Sequence, residues 1–403
     1  MVSVLSPAEV KLPDGSSTDF ANLDVAATAP CLDVVAEAVA DLLPWYGSVH
    51  RGAGALAQRS TREYEQARET LYEHLGCGPG DAVVFTRNTT DALNLLAHVL
   101  PPGTTVVTFD VEHHANLLPW RTPVRIGTPR SPGEAVATLD EALRQVSGPV
   151  LVAVTAASNV TGELWPVREL AEVAHRHGAR IAVDAAQLAP HAPVDMAALG
   201  ADYVALSGHK VYAPFGAGVL AGRADWLDAA PPYLAGGGAT AGVSADFAVR
   251  WHDGPARHEA GTPNLIGAVA LATACRVLAG ADLSAEAHLV ARLRAGIARL
   301  PHVEELRLFD AAAPRVGIVS FAVLGRDPDE LSTELGRDHA IGVRTGLFCA
   351  HPLTRRLLRE AAGRLDPSAE PPGAAIRASL GIGTSEEHVD RLLAVLSAPL
   401  FGE

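Results

Sequence analysis

The sequence predicts an α/β fold in which polar residues follow the carboxyl ends of buried strands. Three apolar stretches have the length and composition of short strands: residues 151–155, 181–183 and 203–206. In open α/β sheets, ligands bind outside this edge. We therefore expect one crevice to receive the residues that follow, which are Ser158-Asn159, Asp184-Ala185-Ala186-Gln187 and Ser207-Gly208-His209-Lys210.

Size, charge and cysteine usage exclude several classes of protein. The 403 residues are 48% hydrophobic, enough for a large core. The net charge of −14 and the lack of a Lys/Arg-rich run argue against nucleic acid or an anionic membrane as partner. Four cysteines without a CxxC pair predict no metal site. Without a signal peptide or an apolar bilayer-spanning stretch, we expect a cytoplasmic protein.

Lys210 and Asp184 form the most informative pair. An isolated lysine is usually a solvated surface charge. Asp184, however, ends another apolar strand, and a buried carboxylate needs a partner. A lysine that forms a Schiff base, with an aspartate on the ring nitrogen, is the pattern of pyridoxal phosphate (PLP) enzymes. The pair therefore predicts PLP as cofactor.

The motifs SGHK (207–210), VDAAQ (183–187) and SNVTGELWPV (158–167) together resemble the class V aminotransferase family of fold-type I PLP enzymes. The cysteine desulfurase and selenocysteine lyase branch is the most similar, over residues 23–389. The resemblance implies an N-terminal arm (1–20), a large PLP-binding domain with a mainly parallel seven-stranded sheet (21–278), and a small α+β domain (279–403). It also implies a homodimer with shared active sites, a small amino-acid substrate and a sulfur-acceptor protein.

Paired threonines mark a predicted strand-to-helix junction after residues 82–86. Helix N-termini suit a phosphate, although Thr89 and Thr90 could equally be ordinary caps. The resemblance assigns them to the PLP phosphate. It implies three roles at the PLP ring: His113 stacks on the ring, Asn159 and Gln187 reach the ring oxygen, and Asp184 holds the ring nitrogen. It implies that Ser207 and His209 contact the phosphate and that Thr262 reaches the phosphate bound by the partner subunit. It also implies that Lys210 forms the Schiff base and moves protons.

Cys349 decides the predicted reaction. Residues 342–353 resemble the desulfurase loop RTG-x-x-CA-x-PL, in which the cysteine takes sulfur from the substrate as a persulfide and alanine is released. Such a thiol must reach the cofactor near positive charge. A buried structural cysteine is the alternative. Leu347 and Phe348 replace residues that are often polar or histidine, and an apolar flank would raise the thiol pKa and reshape the pocket.

Three further residues are candidates for substrate binding. Arg377 lies between apolar strand residues and resembles the arginine that binds the α-carboxylate, a task for which a guanidinium fork is suited. A surface salt bridge is the alternative. Arg344 is a second candidate, and His50 of the VHRG segment resembles a residue near the substrate.

Local patterns predict helices at residues 32–43, 60–75 and 386–396, with Ser60 and Glu63 as a capping box. They predict strands at residues 105–109, 306–308 and 316–323 and a loop at 366–373.

Three functions remain open at this point. The first is a PLP-dependent cysteine desulfurase that also acts on selenocysteine. The second is another class V enzyme, namely an aminotransferase, C–S lyase or epimerase for a specialised amino acid, which the Leu347-Phe348 departure favours. The third is a non-catalytic sulfur-transfer partner, which the presence of Lys210, Asp184 and Arg377 disfavours.

Overall fold

A computed structural model describes residues 2–6 and 9–398, so part of the predicted N-terminal arm and the last five residues lie outside the described chain. The helices are α1 (Asp33–Leu42), α2 (Ala55–His74), α3 (Thr89–Val99), α4 (His114–Leu117), α5 (Pro132–Arg144), α6 (Val167–Arg176), α7 (Met196–Leu199), α8 (Ala224–Ala229), α9 (Leu265–Leu278), α10 (Ser284–Ile297), α11 (Pro328–His339), α12 (His351–Leu365) and α13 (Glu386–Leu396).

The strands are short in the connecting regions and longer in two main sheets. They are β1 (Val10–Lys11), β2 (Ser17–Thr18), β3 (Ala21–Asn22), β4 (Asp81–Thr86), β5 (Thr105–Phe109), β6 (Val124–Ile126), β7 (Val150–Thr155), β8 (Arg180–Asp184), β9 (Tyr203–Ser207), β10 (Gly218–Arg223), β11 (Thr240–Val243), β12 (Val249–Trp251), β13 (Val303–Glu305), β14 (Ile318–Val323), β15 (Ile341–Gly342), β16 (Arg344–Gly346) and β17 (Ala375–Ser379).

The larger sheet has seven strands in the order β4-β10-β9-β8-β7-β5-β6. Only β10 runs antiparallel to its neighbours, β4 and β9, and the other pairs are parallel. This confirms the predicted α/β fold with a mainly parallel seven-stranded sheet. Every residue of β7 is buried, as expected for a parallel strand covered on both faces.

The register of the central strands brings the predicted polar residues to one edge. Thr155 at the end of β7 pairs with Asp184 at the end of β8, and Asp184 pairs with Ala205 of β9. Asn159, Asp184 and Ser207 therefore follow or end three adjacent strands, as the sequence predicted.

A second, antiparallel sheet has the order β13-β14-β17-β16. It has its own apolar core with α10, α11 and α13, which includes Leu293, Phe321, Leu335 and Leu392. Arg377 lies on β17 and Arg344 on β16. The domain boundaries at residues 20 and 278 stay predictions.

Residues 21–26 contact both the smaller sheet region and Gln187, which follows β8 of the larger sheet. Strand β3 pairs in parallel with β15, and Asp24 bridges to Ser379. The Ala26 N–H donates to the Ser379 hydroxyl at 2.9 Å, across 353 residues of sequence.

The predicted capping role of Ser60 is wrong. Helix α2 begins at Ala55, so Ser60 lies inside it and is buried. Its hydroxyl accepts the Gly47 N–H at 2.8 Å instead, and Glu63 pairs with Arg59 one turn earlier. The residues before Ser60 include Ala55, a strong helix former, and the helix extends through them.

The predicted strand at residues 306–308 is also wrong, since β13 ends at Glu305. The buried carboxylate of Glu163 accepts the N–H groups of Leu308 at 2.9 Å and Phe309 at 3.0 Å. A side chain from elsewhere in the fold thus replaces the strand partner, which local sequence does not reveal. By contrast, the predicted strand at 105–109 and helix at 386–396 match β5 and α13. Along the described chain, no helix is both long and apolar enough to cross a membrane.

Candidate active site

A cavity of about 350 Å³ lies where the central strands end, and the smaller sheet covers it. Among the predicted site residues, those that line it are Thr89, Thr90, His113, Asn159, Asp184, Gln187, Ser207, His209, Lys210, Arg344, Cys349 and Arg377. His50 and Thr262 do not. This volume is in the range of small-molecule sites.

Lys210 lies in the turn after β9, where its backbone N–H donates to the Ser207 carbonyl at 3.2 Å. Burial is the main cause that lowers the pKa of the Lys210 ammonium to about 8, and Arg377 adds to it, while Asp184 opposes it. The chain contains one other lysine, the exposed Lys11. Lys210 is therefore the single amine side chain available to react at this site.

Asp184 and Gln187 present buried oxygen atoms to the same space. Asp184 is 5% exposed, and one of its carboxylate oxygens accepts the Ala186 N–H at 3.0 Å. Burial raises the pKa of Asp184, and the charge of Lys210 lowers it. The Gln187 amide donates to the Ala26 carbonyl at 3.0 Å, whereas its buried Oε1 has no partner. An unpartnered buried acceptor of this kind fits a ligand donor.

The N-terminus of α3 lies at one end of the cavity. Asn88 caps the helix by accepting the Asp91 N–H at 3.0 Å, so the threonines are not the cap. The Thr89 N–H and hydroxyl both lie 2.8 Å from the Ser207 hydroxyl. Gly218 packs so closely that an added Cβ would lie 2.6 Å from the Asn88 Cα. The hydroxyls of Thr89, Thr90 and Ser207 line the cavity at this helix N-terminus, and hydroxyl donors together with the positive end of the helix dipole suit a phosphate.

His113 is neutral and fixed. Its Nδ1 accepts the Ala115 N–H at 3.0 Å, which places the ring proton on Nε2. Burial, with the charge of Lys210, lowers the pKa of His113 to about 3. A flat uncharged ring in this position fits stacking on an aromatic cofactor.

Arg377 extends from β17 of the smaller sheet to the cavity and is 4% exposed. One guanidinium nitrogen donates to the Asn159 carbonyl at 2.9 Å, another lies 3.6 Å from the Asp24 carboxylate, and the buried Nε has no partner. Burial lowers the pKa of Arg377 to about 10, so the group stays charged at neutral pH. Arg344 is half exposed and pairs with Asp24 at 2.9 Å.

Cys349 lies on an exposed turn at the opening of the cavity. It and Phe348 both have left-handed backbone, with φ of 52° and 49°. The Phe348 carbonyl accepts the Asn159 side-chain amide at 2.6 Å, and the Cys349 carbonyl accepts the His114 N–H at 2.7 Å. Two contacts from the larger sheet region therefore fix the turn that carries the thiol.

Sequence reasoning assigned no role to Glu112 and did not predict the contacts of Asp24 with Arg344 and Arg377. Glu112 is fully buried and accepts the Thr155 N–H at 3.1 Å and the Asn116 amide at 2.8 Å, which ties β7 to the segment carrying His113. Burial, with Asp184 nearby, raises the pKa of Glu112 to about 8. Its place just after an apolar strand was a usable signal. Asp24 gave a weaker one, because its arginine partners are distant in sequence.

His50 and Thr262 lie elsewhere in the single chain. His50 lines a separate cavity of about 170 Å³ together with Gly261 and Pro263, the two neighbours of Thr262. The His50 Nε2 lies 2.7 Å from the Glu65 carboxylate. Their roles at the cofactor site stay predictions.

The residues in the cavity fit PLP by observations of this structure. They comprise a helix N-terminus with hydroxyl side chains, a buried carboxylate, an unpartnered amide oxygen, a neutral imidazole and one buried lysine. Fold and site together define a PLP-dependent enzyme of fold type I. The model of the family described as Aminotransferase class-V matches residues 21–392, so the chain belongs to that family.

Relatives with known names are similar over most of this chain. A protein named "Probable cysteine desulfurase" from Vibrio cholerae is 34% identical over 97% of this chain and 95% of its own. One of the same name from Mycolicibacterium paratuberculosis is 37% identical over 79% of this chain. The chain spans about half the length of that relative and of two others; the matched share of their own length is 48% to 54%. The apo structure of a cysteine desulfurase from Thermococcus onnurineus superposes with a TM-score of 0.81, at 32% identity over 94% of each chain.

Proposed function

We propose that this protein is a PLP-dependent cysteine desulfurase, which converts L-cysteine to L-alanine and keeps the sulfur on Cys349 as a persulfide. L-selenocysteine is the second substrate. The observation that carries the proposal is the exposed Cys349 thiol on a fixed turn, at the opening of the cavity that holds Lys210 and Arg377. The names of the relatives support it.

The cofactor would be held by residues from the larger sheet. Thr89, Thr90, Ser207 and His209 would bind its phosphate at the N-terminus of α3. Asp184 would hold its ring nitrogen, Gln187 and Asn159 would lie at its oxygen, and His113 would stack on its face. When bound, PLP supplies an electron sink for the carbon that loses its proton.

Lys210 and Arg377 would act on the substrate itself. The Arg377 Nε has no partner, and a second guanidinium nitrogen lies 3.6 Å from the Asp24 carboxylate. An α-carboxylate that bound at these two nitrogens in place of Asp24 would accept two parallel hydrogen bonds. The lowered pKa of the Lys210 amine suits a group that takes the proton from Cα and returns it. Burial around both groups excludes water from the proton transfer.

Cys349 would perform the sulfur transfer. Its thiolate attacks the substrate sulfur, the S–S bond forms, and the bond between the substrate sulfur and Cβ breaks with its electron pair left on carbon. That carbon takes a proton, so alanine and a Cys349 persulfide are the products. A dithiol then reduces the persulfide to sulfide and regenerates the thiol. Because such a thiol must be reduced, we also propose a cytoplasmic location.

Product analysis tests this function. With PLP, L-cysteine and dithiothreitol, we expect equal amounts of alanine and sulfide. Cys349→Ala should lower alanine formation by about 10³-fold or more while PLP stays bound. Cys31→Ala, a free cysteine away from the cavity, is the matched control and should retain activity.

Other products would point to the other family reactions. Pyruvate or a keto acid as the main product would favour a lyase or an aminotransferase, and full cysteine turnover by Cys349→Ala would remove the thiol from the mechanism.

We further propose a homodimer in which His50 and Thr262 serve the partner's cavity. Their absence from the cavity of their own chain supports this. Exposed apolar side chains that lie close to His50 in sequence also support it, namely Leu43, Trp45, Tyr46 and Leu56. Co-expression of Lys210→Ala and Thr262→Ala chains should restore activity, because a mixed dimer then contains one intact site. Activity equal to the average of the two pure variants would contradict shared sites.

A further inference from the structure

Phe348 lies between the two groups that would handle opposite ends of the substrate. Its ring faces the Arg377 guanidinium at 5.0 Å, it precedes Cys349, and it lines the cavity. We propose that Phe348 determines substrate specificity, by admitting amino acids with a compact uncharged sulfur or selenium side chain and rejecting those with an anionic one, such as a sulfinate. This inference rests on the proposed desulfurase function.

The backbone that carries the Phe348 ring is fixed by hydrogen bonds. Phe348 has φ of 49°, its carbonyl accepts the Asn159 amide at 2.6 Å, and the next carbonyl accepts the His114 N–H at 2.7 Å. The Leu347 carbonyl also accepts the Ala350 N–H at 2.9 Å. With consecutive carbonyls held, the Cα–Cβ bond of Phe348 keeps its direction toward the cavity, and the stacking on Arg377 favours the observed ring position.

The surroundings of Arg377 define the path of a substrate side chain. Asn159 occupies one guanidinium nitrogen and Phe348 covers one face. Another nitrogen lies 3.6 Å from Asp24, so a carboxylate would bind at the edge that contains the unpartnered Nε. The β-substituent must then extend toward the Cys349 thiol in order to react. Because Phe348 is adjacent to Cys349 and in contact with Arg377, this path runs along its ring.

An aromatic wall discriminates between neutral and anionic substituents. A thiol or selenol makes favourable contact with an aromatic ring. A sulfinate loses its hydration there without a donor in return, and the ring face carries partial negative charge. Arg377 would bind the α-carboxylate, and Arg344 pairs with Asp24 at 2.9 Å. Lys210 also lines the cavity, but it would act at Cα rather than on the side chain of the substrate. His113 is neutral and adds no charge.

The test compares catalytic efficiency on two substrates. Wild-type holoenzyme and variants are assayed for kcat/KM on L-cysteine, as alanine with dithiothreitol, and on L-cysteine sulfinate, as alanine plus sulfite formed with water. Phe348→His and Phe348→Asn introduce polar residues that tolerate left-handed backbone. Each should raise the sulfinate-to-cysteine ratio by about 10-fold or more, in the range that single pocket contacts produce.

Two controls separate polarity from disruption. Phe348→Leu keeps the wall apolar and should leave the ratio within about 3-fold of wild type. Leu347→His places the same new residue beside Phe348 but outside the cavity lining, so it should also leave the ratio unchanged. An increase of the ratio in Leu347→His equal to that in Phe348→His would overturn the assignment to Phe348.

A binding measurement distinguishes this inference from the proposed function. The absorbance of PLP-loaded protein is titrated with L-alanine and with L-aspartate, which differ in the charge of the side chain. Wild type should bind alanine more tightly, and Phe348→His should narrow the difference. If wild type forms no alanine from L-cysteine and yet shows this pattern, the desulfurase function fails while the role of Phe348 stands. An unchanged preference in both polar variants overturns the role of Phe348.

Discussion

The floor and the roof of the cavity are built differently. The floor, formed by Thr89, Asp184, Ser207 and Lys210, lies at strand ends of the larger sheet and at the start of α3, where backbone register fixes each side chain. The roof comprises Arg344 and Arg377 on the smaller sheet and the exposed turn with Phe348 and Cys349. Because the floor is held by a rigid sheet and the roof includes a turn, substrate preference can change without loss of cofactor binding.

The largest expected effect is at the floor. Lys210→Ala should lower alanine formation by about 10⁴-fold or more, because it removes the reactive amine and the proton carrier together. The absorbance band of covalently bound PLP should disappear as well. Lys11→Ala, at the only other lysine, should change neither quantity. Retention of a borohydride-reducible PLP linkage in Lys210→Ala would show that Lys210 does not bind the cofactor. The floor would then not be the cofactor-binding part of the cavity.

A roof substitution should change substrate affinity and leave the cofactor in place. Arg377→Lys should raise KM for L-cysteine roughly 10–100-fold, since charged hydrogen bonds contribute about 1.5–3 kcal/mol and the lysine loses the paired geometry. Arg344→Lys affects a half-exposed ion pair and should change KM only a few-fold. Steady-state kinetics with PLP absorbance as the control separates the two. Equal effects of both changes would mean that Arg377 does not bind the carboxylate.

The smallest effect concerns acid stability. The pKa of His113 is about 3 in the folded protein, below the ordinary value of 6.5, so the unfolded chain binds the extra proton between these values. The free energy of unfolding should therefore fall as pH falls from 6.5 toward 3. We expect His113 to account for on the order of 1–2 kcal/mol of the loss between pH 6.5 and 5.

Denaturant unfolding of cofactor-free protein measures this contribution. The free energy of unfolding is plotted against pH. The slope of this plot should be smaller in His113→Gln than in wild type, and it should be unchanged in His288→Gln, which replaces an exposed histidine on α10. An identical slope in wild type and His113→Gln would show that His113 is solvated, and the floor would then be less dry than its packing indicates.

The sequence was most informative where local pattern determines structure. The ends of β7, β8 and β9 were visible as apolar runs followed by polar residues, and they positioned Asp184, Ser207 and Lys210 correctly relative to one another. The roof required knowledge of the family, because no local pattern shows that Arg377 reaches Asn159. The Leu308 N–H donates to Glu163, which is more than a hundred residues away in sequence, and no local pattern revealed this contact in place of the strand predicted at 306–308.

The long-range link between Ala26 and Ser379 has a consequence for biosynthesis. During translation the segment from Ala21 to Ala26 emerges first, but its partners on β15 and β17 are made near the end. Contacts so far apart in sequence form late. A nascent chain that still lacks β17 also lacks Arg377, so the substrate binding proposed for that arginine would begin only after nearly the whole polypeptide has left the ribosome.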